Sequence, residues 1–153
     1  MNRGPVTTRT GFSLIELVLV VALLAVLTSI AIPRIGWETM DSVQVETAAR
    51  QFSDYLKLAR SLAITHASSN GEGYTVALSS SQPYTYSLSN ADTSEVVKGP
   101  IELPPGVSRS GDLTYQFTPV GGLSGSTTLS VQFSKSGNTS AVTVTPVGRI
   151  TLQ

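Results

Sequence analysis

Residues 11–33 read GFSLIELVLVVALLAVLTSIAIP. Phe12 to Ile32 is a run of 21 residues with one charge, Glu16. As a helix it would reach about 31 Å, close to the roughly 30 Å hydrocarbon core of a bilayer. An ionised side chain in mid-membrane costs about 2.5–3.5 kcal/mol on insertion scales, so Glu16 reads first as functional, with a partner to be found. Arg3 and Arg9 precede the run and no acid does. Basic flanks stay in the cytoplasm, so residues beyond the run should lie on the far side of the membrane.

Two ordinary readings compete. A secretory signal would use Ser29-Ile30-Ala31 as its small-x-small cleavage site, leaving a mature chain from Ile32. Glu16 sits awkwardly in such an apolar region, and Ile32-Pro33 awkwardly after such a cut. A plain single-pass anchor explains the length but not the acid.

Composition narrows the classes. The chain has 153 residues, no cysteine and one histidine, His66. Disulfides, thiol catalysis and multi-His or Cys-based metal sites are excluded. Only 13% of residues are charged and the formal net charge is zero, which argues against an electrostatic nucleic-acid binder. No Gly-x-Ser-x-Gly elbow is present, and one histidine gives little scope for a catalytic triad, so no enzyme activity is expected. Glu72, Asp92, Glu95, Glu102 and Asp112 are scattered without the spacing of a calcium loop and read as surface acids. No metal or other cofactor is expected.

Beyond the apolar run the pattern becomes amphipathic. Between Glu38 and His66, the residues Val45, Ala48, Ala49, Phe52, Tyr55, Leu56, Ala59, Leu62 and Ala63 recur every three or four positions. This predicts a helix laying one stripe on a core, with Phe52, Tyr55 and Leu62 as packing residues. Glu46 and Arg50 form a favourable i,i+4 pair. Asn70-Gly71 is a helix stop, and His66 lies near that end.

After Gly73 the period becomes two. YTVAL (74–78) and YTYSL (84–88) predict a hairpin. IELPPGVSRSG (101–111) reads as irregular because Pro104-Pro105 breaks a ladder. Further strands are expected at 113–119, 127–133, 140–146 and 148–153, with Gly137-Asn138 as a tight turn. A helix followed by antiparallel strands predicts an α+β fold, the helix against a sheet or small sandwich.

The opening stretch resembles the signal of type IV prepilins and type II secretion pseudopilins. The resemblance implies that a prepilin peptidase cuts after Gly11 and that Phe12 becomes an N-methylated mature N-terminus. It implies that Glu16 is the docking glutamate and that Pro33 marks the helix break after the hydrophobic half. The new α-ammonium, with a reference pKa near 7.7–8.0, would be mostly cationic at neutral pH. It could meet Glu16 of its own chain or of a neighbour, and the resemblance implies the neighbour. A buried pair of this kind favours specificity of docking over raw stability.

The later segments resemble GspH/FimT-type subunits in three places. These are Ala59-Arg60-Ser61-Leu62-Ala63-Ile64; Phe117, Pro119 and Gly121; and Gly148-Arg149-Ile150. The resemblance implies a pilin-like fold, with a leader at 1–11, a transmembrane half-helix at 12–32, an amphipathic half at 33–70 and a periplasmic β-rich domain at 71–153. It implies a minor pseudopilin that helps initiate or cap a type II secretion pseudopilus driving exoprotein export. The implied partners are other major and minor pseudopilins, the prepilin peptidase/methyltransferase, the inner membrane and the secretion assembly platform. The alternative is a minor pilin of a type IV pilus, of FimT/FimU type, in pilus assembly or DNA uptake. Against nucleic acid stands the missing second arginine of a Gly-Arg-x-Arg motif at Gly148-Arg149-Ile150-Thr151. Residues 34–153 also carry 8 Lys/Arg against 9 Asp/Glu. Arg109, Lys135 and Arg149 alone are too few for a phosphate-binding surface.

Overall fold

The structure is a computed structural model that describes residues 13–31 and 37–153. Gly11, Phe12 and Pro33, and hence the expected cleavage, methylation and helix-break positions, lie outside the described residues. The chain forms two compact units, Met1–Trp37 and Glu38–Gln153.

In the first unit, α1 spans Leu14–Ala31. Ser13 opens it: the Ser13 carbonyl accepts from the amides of Glu16 (3.0 Å) and Leu17 (3.1 Å). The Thr28 hydroxyl, which would otherwise be unpaired on an apolar helix, donates to the carbonyls of Leu24 (2.9 Å) and Ala25 (3.0 Å). Leucines and valines are exposed all round the helix, from Leu14 to Leu27. A helix apolar on every side is stable only against lipid or other apolar surfaces. Among the described residues, no helix is long and apolar enough to cross a membrane. The 18 residues of α1 reach about 27 Å, short of the roughly 30 Å needed; the expected span drew its ends from Phe12 and Ile32.

In the second unit, α2 spans Trp37–Thr65. Its buried stripe is Val45, Ala48, Ala49, Phe52, Tyr55, Leu56, Ala59 and Ala63, as the three-four spacing predicts, with Leu62 partly buried beside it. Phe52 is the centre. Its ring meets Tyr86, Tyr115 and Phe133 edge-on at centroid distances of 5.5, 5.6 and 5.6 Å. Those partners stand on three strands of two sheets, so one side chain ties the helix to both. The Glu46–Arg50 pair forms, with Arg50 Nε 3.0 Å from the carboxylate, on the exposed face.

The eight strands are β1 (Tyr74–Leu78), β2 (Thr85–Asn90), β3 (Val96–Glu102), β4 (Ser108–Gly111), β5 (Thr114–Phe117), β6 (Leu129–Lys135), β7 (Asn138–Val144) and β8 (Ile150–Leu152). They make two antiparallel sheets, ordered β3-β2-β1-β5 and β4-β6-β7-β8. The β1–β2 hairpin forms with Val76 opposite Leu88.

Two strands depart from the sequence reading. The stretch 101–111 is not irregular throughout: Ile101 and Glu102 end β3, and Ser108–Gly111 is β4. Both are edge strands, where Pro100 and a broken alternation are tolerated because one side of the ladder has no partner to lose. β3 is exposed along nearly its whole length and irregular in register against β2, so it carries no period-two signature. The β6–β7 turn sits one residue earlier than expected. Ser136 and Gly137 are its central residues, both with positive φ (50° and 85°), and Lys135 pairs with Asn138. Two left-handed residues give the turn a twist that matches the flanking strands.

Candidate functional site

Helix α1 presents the first candidate. Glu16 occupies its first turn, where the helix dipole favours an anion. Its carboxylate has no partner among the described residues. The expected α-ammonium of Phe12 lies outside them.

The second candidate is built where three distant sequence stretches meet. Arg60, on the flank of α2, donates from Nε to the Gly121 carbonyl at 2.9 Å. Gly121 closes a turn through its amide to Thr118 O at 2.8 Å. Gly148 closes a second turn through its amide to Thr145 O at 2.8 Å, and Leu123 N reaches Pro146 O at 2.9 Å between the two turns. Gly148 has φ +79°, and a Cβ there would overlap the Gly121 carbonyl and lie 3.0 Å from Arg60 Nε. The segments Ala59–Ile64, Phe117–Gly121 and Gly148–Ile150 therefore form one clamp.

Beside this clamp opens a cleft of about 690 Å³ lined by Lys57, Arg60, Ser61, Ile64, Val147, Arg149 and Ile150. Its charged lining residues are all basic. Lys57 is shared with Asp54 at 2.9 Å, whereas the Arg149 guanidinium has no partner among the described residues. Val147, which lines the cleft at the tip of one turn, is 74% exposed, and Val120, at the tip of the other turn, is 89% exposed. Sequence reasoning missed Lys57 and Arg60 as companions of Arg149. The signal was available, since both fall on the same flank of α2, but only the fold brings residue 149 to them.

The other basic residues are engaged elsewhere. Arg109 donates from Nε to Ser79 O at 2.9 Å and lies over the Tyr84 ring at 5.5 Å. Lys135 reaches Gln44 (2.6 Å), Pro105 O (3.0 Å) and Asp41 (3.1 Å). The Ser136 hydroxyl, then Lys135, hold the Asp41 carboxyl below the usual carboxylate range. Arg109, Lys135 and Arg149 thus form no common surface.

Polar residues elsewhere serve the fold. His66 Nδ1 is 3.0 Å from the Tyr74 hydroxyl. Asn70, buried after α2, donates from Nδ2 to Gly73 O (2.7 Å) and Asn90 Oδ1 (2.9 Å) and accepts from Gly73 N (2.7 Å). Asp92 accepts from the amides of Gly71 and Glu72, and Asp112 from Ser130 N. Two of the five scattered acids are therefore loop ties.

This helix-on-two-sheets arrangement is similar to crystal structures of the type IV minor pilin FimU from Pseudomonas aeruginosa strain PAO1. One crystal form matches with a TM-score of 0.56 at 15% identity, over 71% of this chain and 87% of that chain. A second matches at 0.53 and 16% identity, over 70% and 90%. No family model and no curated protein matches the sequence. At such identity the likeness concerns the fold: the chain has a pilin-like α+β fold, a helix packed on antiparallel sheets.

Proposed function

We propose that the chain is a minor subunit of a pilin-like filament, anchored in the bacterial inner membrane with its β-rich domain in the periplasm. The observation that carries the reading is the conjunction of a pilin-like fold with an apolar helix whose first turn holds Glu16, directly after Gly11-Phe12. A filament gives both features a use. Neighbouring helices or lipid cover the exposed apolar surface of α1, and the Phe12 ammonium of one subunit meets Glu16 of another. In this reading residues 1–11 are the leader, removed by a prepilin peptidase/methyltransferase, and Pro33 loosens the helix as it leaves the membrane.

The particular filament we propose is the type II secretion pseudopilus. There the chain would act with major and minor pseudopilins at or near the tip, above the assembly platform. The three GspH/FimT-type segments support that reading, and they meet in one clamp around Arg60. A second reading, a minor pilin of a type IV pilus, is favoured by the fold likeness to FimU. Gene neighbours encoding secretion or pilus machinery separate the two.

The test is mass spectrometry of the mature N-terminus from membranes. N-methyl-Phe12 is expected, and Glu16→Ala should then remove the chain from sheared filaments. A mature start at Ile32 would identify a conventionally secreted domain and overturn the proposal.

A further inference from the structure

The two sheets have four edge strands, and three of them are poor templates for an incoming chain. β3 carries Lys98 and Pro100 and shifts register twice against β2. Lysine, proline and broken register all discourage edge pairing. The outer side of β5 is covered by the turn that follows it, through Ser124 N to Gln116 O and Thr118 N to Gly122 O, both 2.8 Å. β4 reads Ser-Arg-Ser-Gly and offers no apolar side chain to pack against.

β8 is the exception. Its register with β7 is regular, and Ile150-Thr151-Leu152 holds neither proline nor charge. Gln153 exchanges both backbone hydrogen bonds with Ala141. By the antiparallel alternation, the N–H and C=O of Ile150 and Leu152 therefore point away from β7, where no strand lies. The side chains of Ile150 and Leu152 share one face and are partly buried against the core.

Along this open edge runs a groove whose far wall is α2. The cleft of about 690 Å³ shares Lys57 and Ile150 with a cavity of about 200 Å³, which shares Leu152 with a third of about 430 Å³ beside Val45. From Val45 to Ile64 the helix advances about 29 Å, the length of an extended segment of roughly nine residues. Most charges on the walls are already engaged. Arg50 is paired with Glu46, Lys57 with Asp54, and Arg60 is committed to the Gly121 carbonyl. Arg149 has no partner among the described residues, and it lines the wide end of the groove at the start of β8.

We propose that this groove receives an extended segment of an unlike protein chain, which adds to β8 as a fifth strand of its four-stranded sheet. The segment alternates apolar and polar residues, so that one set of side chains lies over Ile150 and Leu152. It carries a carboxylate that meets Arg149. Main-chain hydrogen bonds supply the hold, and the groove and the charge supply the choice of partner. A second copy of this chain is not the donor, because its strands are committed to the two sheets and its exposed edge β3 is blocked. The inference rests on the filament reading for the donor, an unlike subunit beside this one; strand addition itself does not depend on that reading.

The test uses the full chain in detergent micelles and a fluorescently labelled peptide of about nine residues, alternating valine and threonine with a glutamate at each end. Saturable binding above that to empty micelles is expected. The amides of Ile150 and Leu152 should exchange about tenfold more slowly with the peptide bound. The Thr151 amide, which already faces β7, is the internal control. Methylating alternate backbone nitrogens of the peptide should abolish binding for one set and spare it for the other, since only every second amide faces β8. Arg149→Glu should weaken binding about tenfold with circular dichroism unchanged, and a peptide with lysines in place of its glutamates should bind that variant as well as the original pair.

Absence of saturable binding would overturn the inference. So would binding that leaves the Ile150 and Leu152 amides unprotected, or equal effects of the two methylated sets. Salt-dependent binding of a short DNA duplex that Arg149→Glu abolishes, with those amides unprotected by the peptide, would overturn it in favour of a nucleic-acid site. A mature start at Ile32 with the peptide still bound defeats the filament reading and its donor subunit, and leaves the strand-addition site standing.

Discussion

Alanine at Gly148 is a sharp probe of the clamp. Gly148 has φ +79°, a conformation that costs an L-residue about 1–2 kcal/mol. The added Cβ would also overlap the Gly121 carbonyl, so the two turns must separate. That carbonyl accepts the Arg60 Nε–H at 2.9 Å, a charge-assisted bond worth about 1.5–3 kcal/mol. Gly148→Ala should therefore destabilise the domain by about 3–4 kcal/mol. Gly137→Ala is the matched control: its φ is +85°, but a Cβ there meets nothing within 4 Å. It should cost only the conformational part, about 1–2 kcal/mol. Urea unfolding of the full chain in micelles, followed by far-UV circular dichroism, measures both. In an Arg60→Ala background the excess cost of Gly148→Ala should shrink, because the bond it breaks is already gone. Equal costs for the two alanines in the wild-type background would refute the reasoning. The close approach of the two turns would then contribute nothing.

Three further outcomes follow from the packing. Phe52→Ala removes the ring that meets Tyr86, Tyr115 and Phe133; a loss of about 3–5 kcal/mol in urea unfolding is expected, among the largest for any single core truncation here. Asn70→Ala leaves the Gly73 amide without its acceptor in a buried turn, while the Gly73 carbonyl keeps the Ala91 N–H at 3.0 Å; a cost of about 1–3 kcal/mol is expected by the same measurement. Burial, and then the nearby Tyr55, push the Tyr86 hydroxyl up to about 12. Because the folded value is raised, its contribution to stability is full below the ordinary tyrosine pKa of about 10 and is lost as pH rises from there through about 12. Thermal midpoints should fall across that window, and less steeply in Tyr86→Phe.

The sequence was most legible where burial imposes a regular period. The stripe from Val45 to Ala63 recurs every three or four residues because one side of a helix faces a core, and all of it is buried except Leu62, which is partly so. β1, β2, β6 and β7 alternate because each has one face inside. β3 and β4 escaped notice because edge strands need not alternate: β3 is exposed along nearly its whole length, and Pro100 costs it little. The tight turn was found one residue late because Ser136, not only Gly137, adopts the left-handed conformation. Among the candidate functional residues, Glu16 stood out from composition alone, since one acid in an apolar run is conspicuous wherever the chain folds.

The cationic cleft was illegible for a different reason. Lys57 and Arg60 are separated from Arg149 by nearly the whole β region, and each alone reads as a solvated charge. The chain's local chemistry determined by itself an apolar helix with a single acid, a second helix with one packed face, and a run of alternating strands. Those are properties of neighbouring residues, and neighbours are what a sequence records. The tertiary structure alone decided that Arg60 reaches Gly121, that Gly148 fits against the same carbonyl, and that Arg149 arrives beside them while Arg109 and Lys135 are drawn elsewhere. Those outcomes depend on strand order and on close approach between backbones, which hydrophobic period constrains only after the whole core has closed.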